Sequence, residues 1–98
     1  MDEIAKKIVS RIKEKLLSDF PKFLELEGKE KFFLGEEIDS YCTNALDELE
    51  GHVGLSEDFS KFINILYGCK QLSEFGESWA PTEEKIKEWL EFLKNFNV

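Results

Sequence analysis

The sequence predicts an all-α protein, an antiparallel four- to five-helix bundle forming a single small domain over residues 1–98. Three observations predict it. Apolar residues recur at helical spacing through most of the chain. Residues suited to helix N-caps, Ser56 and Thr82, each precede a pair of acids and then an apolar stripe. The segments between stripes are short, with no internal repeat, linker or low-complexity tract, which suits packed neighbouring helices.

The first element is expected over residues 2–17. Ile4, Ile8, Ile12 and Leu16 repeat every fourth residue, and Ala5, Val9 and Leu17 widen the stripe. Asp2 and Glu3 would sit at the positive end of its dipole, Lys13 and Lys15 at the negative end. Ser18-Asp19-Phe20-Pro21 reads as a break, because Pro21 disfavours helix at Phe20 and opens a new turn well. The following stretch allows two forms. One is a short helix from Pro21 to Leu26 with a turn at Glu27-Gly28-Lys29; the other is a β-hairpin around Gly28. Phe32, Phe33 and Leu34 are expected to plug the core.

The central helix is expected over residues 35–50. Ile38, Tyr41, Cys42, Ala45, Leu46 and Leu49 form its apolar stripe, and Glu36, Glu37, Asp39, Ser40, Asn44, Asp47, Glu48 and Glu50 lie on the other face. Gly51 follows, where a left-handed helix stop is wanted. His52-Val53-Gly54 makes a tight connection. Leu55 and then the cap Ser56 lead into a helix bearing Phe59, Phe62, Ile63, Leu66, Cys69 or Lys70, and Leu72. Gly68 lies inside it at a cost of about 1 kcal/mol relative to Ala, which points to a close helix approach or a bend. Phe75-Gly76 ends that segment. After the loop Glu77 to Pro81, Thr82 caps a last helix with Ile86, Trp89, Leu90, Leu93 and Phe96 inward.

Composition narrows the function. Apolar residues make up 42% of the chain, with nine Phe and two Trp for core material. The formal net charge is −8, and its distribution is uneven. Residues 1–34 carry eight Lys or Arg against seven acids, residues 35–84 two against twelve, and residues 85–98 three against two. The middle of the chain holds the whole imbalance. Such a field repels nucleic acid and anionic lipid and attracts basic partners. No apolar run approaches the roughly 18 residues of a membrane span. The N-terminal stretch is amphipathic with acids, unlike a secretory signal. A cytoplasmic location is the expectation. The only cysteines, Cys42 and Cys69, read as reduced core thiols, with a disulfide open until their separation is known.

Catalytic signatures are thin. His52 is the only histidine, with no Ser or Cys nucleophile paired to it in sequence. One His and two separated Cys do not make a structural zinc set, and no phosphate loop or EF-hand spacing occurs. The expectation is a non-enzymatic domain with no cofactor and no metal. Asp47, Glu48 and Glu50 are the exception to a bland acidic surface. They close a helix at the end where the dipole disfavours negative charge by a few tenths of a kcal/mol each. Charge placed against local stability points to a cationic partner, with plain solubility as the alternative.

Two resemblances bear on this. Leu34-Gly35-Glu36-Glu37-Ile38-Asp39 resembles the stretch that opens the second helix of acyl carrier proteins. In this chain Glu37 and Ile38 stand where that family carries its Asp-Ser-Leu core, and Ser40 follows Asp39 instead. In size, charge and helical architecture the whole chain is similar to bacteriocin and colicin immunity proteins. That likeness implies an acidic helix face, with an aromatic or two, entering a toxin's active cleft. The sequence therefore predicts an acidic protein-binding domain, an inhibitor or immunity protein for a basic partner such as a secreted toxin or nuclease domain, acting as a monomer or weak dimer. The partner-binding residues are expected to be Glu37, Asp39, Asn44, Asp47, Glu48 and Glu50, with His52, Glu57, Asp58 and Trp79 nearby. Trp79 either covers the bundle end or stands exposed as an interface anchor. The alternatives are a self-associating structural or regulatory module and, more remotely, a carrier-like domain.

Overall fold

The computed structural model describes residues 3–52 and 56–97. It contains four α-helices and one short 3-10 turn, and no strand among the described residues: α1 (Glu3–Glu25), α2 (Gly28–Leu49), α3 (Glu57–Cys69), the turn (Leu72–Glu74) and α4 (Glu83–Asn95). The hairpin alternative for the stretch around Gly28 is thereby excluded. The expectations placed on Asp2, Val53, Gly54 and Leu55 lie outside the described residues. The Cα radius of gyration, 13.0 Å, matches the roughly 13 Å of a folded chain near 100 residues.

The largest departure from expectation is α1, which does not break at Ser18–Pro21 but carries Pro21 inside it. Proline within a helix removes one hydrogen bond and crowds the preceding turn, at about 3 kcal/mol. Phe20 and Phe23, on either side of it, are 0% and 2% exposed. Burying two phenylalanines gives about 3–6 kcal/mol, so the core outweighs the proline. Pro21 itself faces outward. With the helix extended, Lys13 and Lys15 are mid-helix residues, and Lys22 is the base in the last turn.

Leu26 and Glu27 separate α1 from α2. Gly28 has φ 61°, a left-handed value that a side chain would strain, and this lets the chain turn within so short a break. α2 then starts seven residues before the expected Gly35. Phe32, Phe33 and Leu34 do not plug the core: Phe33 is 63% exposed and Phe32 39%, and Leu34 is only half-buried. Continuing the α2 stripe backward explains this. The core-facing positions are Gly35, Ile38, Cys42, Ala45 and Leu49, and residues 32 and 33 fall off that face at 3.6 residues per turn.

α2 stops as expected, with Gly51 at φ 86°. Ser56 caps α3 by accepting the Phe59 N–H at 3.1 Å, and Thr82 caps α4 by accepting the Lys85 N–H at 3.2 Å. Ile65 is buried in α3 and Ile63 only half-buried, and Lys70 is exposed beyond the helix end. α1 packs on α2 and α4, while α2 also packs on α3 and on the 3-10 turn.

Aromatic rings fill the remaining seam, between α3 and α4. Phe62 of α3 stacks on Phe96, with ring centroids 5.4 Å apart. A Cβ at Gly68 would lie 2.6 Å from the Trp89 ring, so the glycine is a close approach, as its position suggested. Gly35 has the equivalent role for the 3-10 turn, where a Cβ would meet the Leu72 backbone at 3.0 Å. Cys42 and Cys69 are both fully buried in the shared core, as free thiols. Burial, and then the neighbouring Cys42, push the Cys69 thiol up. No described helix is long and apolar enough to cross a membrane.

Candidate functional site: the acidic rims of α2

The acidic face of α2 is divided into two rims by what the helix packs against. On the α1 side lie Tyr41 and Glu48. Arg11 donates to Glu48 with its Nη2 3.3 Å from Oε2, both side chains about half exposed. Tyr41 donates its hydroxyl to Asp19 at 3.0 Å, and the Lys15 ammonium sits 5.0 Å from the Tyr41 ring centroid. Burial and the Asp19 carboxylate push the Tyr41 hydroxyl far above its ordinary value. Glu37 is four residues before Tyr41, hence on this same side. On this rim Glu48 is therefore answered by Arg11 of α1, while Glu37 has no salt bridge among the described residues.

The α3 side differs. Asp47 and Glu50 line an open groove between α2 and α3, with Leu46, Ile63, Tyr67 and Lys70. The groove has a volume of about 390 Å³. No basic residue lies in the last turn of α2. Among the described residues, neither Asp47 nor Glu50 has a salt bridge. Leu46 and Ile63 give the groove a half-buried apolar floor. Tyr67 stands 55% exposed at its edge, and Lys70 Nζ sits 5.4 Å from its ring centroid. Asp39 belongs to this side as well, but its carboxylate accepts from Thr43 Oγ1 at 3.0 Å within α2. Asn44 is exposed between the two rims.

The other expected residues are partly gathered and partly not. His52 is half-buried just past the end of α2, its backbone N–H donating to the Leu49 carbonyl at 3.0 Å. Glu57 and Asp58 are exposed in the first turn of α3, where negative charge is favourable on its own account. Glu57 also pairs with Lys61 at 3.7 Å. Trp79 is 57% exposed and donates its indole N–H to Glu74 at 2.6 Å. It is not beside the acidic groove. Glu74 closes the 3-10 turn that packs on Gly35, and Gly35 precedes Glu48 along α2 by about 20 Å at 1.5 Å per residue.

Tyr67 is the residue that reading the sequence missed. A tyrosine next to the apolar stripe of α3 reads as core, and only the partner helix determines which side of that stripe is covered. Among the described residues no three His, Cys, Asp or Glu are grouped to hold a metal ion. Leu34 and Gly35 lie inside α2 instead of opening a helix, and Ser40 sits near its middle. The carrier-protein resemblance therefore lacks the structural context that it implies. No protein-family model matches the chain, and neither a curated protein nor a solved structure does.

Proposed function

We propose that this chain is a non-enzymatic, acidic protein-binding domain that captures a basic protein, as an inhibitor or immunity protein does for a toxin or nuclease domain. The observation that carries this reading is the asymmetry between the rims. Glu48 is compensated by Arg11, whereas among the described residues Asp47 and Glu50 have no salt bridge and lie beside an apolar groove with an exposed tyrosine. Carboxylates at the α2 C-terminus oppose its dipole, and among the described residues only Glu48, on the α1 side, recovers an ion pair. An acidic rim over an apolar floor steers a cationic partner and then holds it. The reading takes consecutive helices as antiparallel and the domain as cytoplasmic, where it would protect its host.

The test compares proteins retained from host lysate by the wild type and by the double reversal Asp47→Lys, Glu50→Lys, at low and high salt, after circular dichroism shows both folded. The expected result is a basic protein held by the wild type at low salt, released by salt and lost on reversal. Retention unchanged by the reversal would discard the surface.

Self-association is a second reading, and one observation favours it. Phe32 and Phe33 are exposed together, with ring centroids 5.9 Å apart, on the N-terminal third of α2. Sedimentation across a concentration range separates the readings, since a stable oligomer speaks for this second one.

A further inference from the structure

We propose that the groove between α2 and α3 is an arginine-binding subsite, taking one arginine side chain of a basic protein partner. This rests on the reading of the chain as a binder of basic proteins and specifies the chemistry of that contact. The groove offers the three surfaces an arginine uses. Leu46 and Ile63 provide an apolar floor for the aliphatic stem. The Tyr67 ring provides a face on which a guanidinium stacks. Asp47 and Glu50 provide carboxylates that have no salt bridge among the described residues, suited to the planar fork of donors.

The position of Lys70 is an independent sign that this edge takes a cation. Its ammonium sits 5.4 Å from the Tyr67 centroid, so the fold places a positive charge against the ring by itself. Lysine is a point charge on a flexible stem and leaves the tyrosine 55% exposed. An incoming guanidinium displaces it and adds hydrogen bonds that a single ammonium does not match. The occupant is a basic residue of a protein. A phosphate or nucleic-acid ligand would meet Asp47 and Glu50 with like charge.

The experiment is an NMR titration of the full chain with acetyl-Gly-Arg-Leu-amide, alongside the same peptide carrying lysine or the neutral isostere citrulline. The arginine peptide is expected to shift the Tyr67 ring and the Ile63 and Leu46 methyls saturably, and the citrulline peptide to leave them unmoved. Tyr67→Leu, which keeps apolar contact but removes the ring, should weaken binding about fivefold, the worth of one exposed cation–π contact, and Asp47→Asn with Glu50→Gln should weaken it at least as much by removing the charge-assisted hydrogen bonds. Lys70→Ala should strengthen it, by removing the competing cation. Absent saturation at Tyr67, equal binding of the citrulline peptide, or weaker binding by Lys70→Ala would each overturn the subsite. Its failure is distinguishable from failure of the wider reading. If Tyr67 stays unmoved while the charge reversal still releases a basic protein, the acidic surface stands and the arginine subsite falls.

Discussion

The two ends of α2 make opposite departures from what a surface helix needs. Its N-terminal third exposes Phe32 and Phe33, while its C-terminal end exposes Asp47 and the capping Glu50. Neither pair helps the fold, but they fail to help it differently. Exposed phenylalanines lose little folding stability and put solubility at risk. Carboxylates at a helix C-terminus preserve solubility and oppose the dipole. Between these ends the helix is conventional, with Ile38, Cys42 and Ala45 fully buried. The difference teaches that α2 has one structural section and two sections whose surface the fold alone does not explain.

The largest expected effect tests how firmly the aromatic end is held. Gly35→Ala places a Cβ 3.0 Å from the Leu72 backbone and the Ser73 nitrogen, where backbone has to shift. Overpacking of this kind destabilises by about 1–3 kcal/mol, against about 1 kcal/mol gained in helix propensity. Net destabilisation in urea unfolding is expected. Stabilisation would show that the 3-10 turn is loosely seated and that the aromatic end is free to move.

Next comes the middle section. Tyr41→Phe removes a half-buried hydrogen bond to Asp19, worth about 0.5–1.5 kcal/mol. The hydroxyl's folded-state pKa is raised by burial and then by Asp19. Its contribution is therefore complete below the unfolded value near pH 10 and falls as pH rises above it. Cys69, also raised by burial, adds to the loss in the same direction from about pH 8.5 upward. Wild-type stability should decline on the alkaline side, and Tyr41→Phe should flatten that decline above pH 10. An unchanged alkaline slope would remove Tyr41 as its source.

Much of this arrangement was legible in the sequence. Local signals were reliable: the caps Ser56 and Thr82, the stop at Gly51 and the stripe through Ile38, Cys42, Ala45 and Leu49 all stand where spacing and side-chain chemistry put them. What failed needed knowledge of a distant partner. Pro21 continues a helix because Phe20 and Phe23 are buried against the rest of the core. Glu48 differs from Asp47 because Arg11, 37 residues away, reaches only one of them. Tyr67 is exposed because α2 and α4 cover the other sides of α3. For the site, the sequence located the acidic helix but not its division into a compensated rim and an open one.

A smaller effect tests the aromatic end directly. Phe33→Ser should change folding stability by no more than about 0.5 kcal/mol, since its ring is 63% exposed. If that end self-associates, sedimentation should show the variant more monomeric than the wild type. A monomeric wild type would leave the α2–α3 groove as the surface with the stronger claim to a partner.

The last effect is the most diagnostic of the comparison. Asp47→Lys and Glu50→Lys should each raise stability by about 0.3–1 kcal/mol at low ionic strength, because a cation near a helix C-terminus is favoured there. Glu48→Lys should not, although it lies in the same turn. It gains the same dipole term but loses the Arg11 contact at 3.3 Å and sets two positive charges against each other. The three substitutions share one helix terminus and one change of charge, so dipole and net-charge effects are closely matched among them. A gain for Asp47 and Glu50 without one for Glu48, both shrinking with added salt, means that two native carboxylates lower stability in return for nothing inside the fold. Equal gains at all three would mean that Arg11 holds nothing, and the distinction between the rims would vanish.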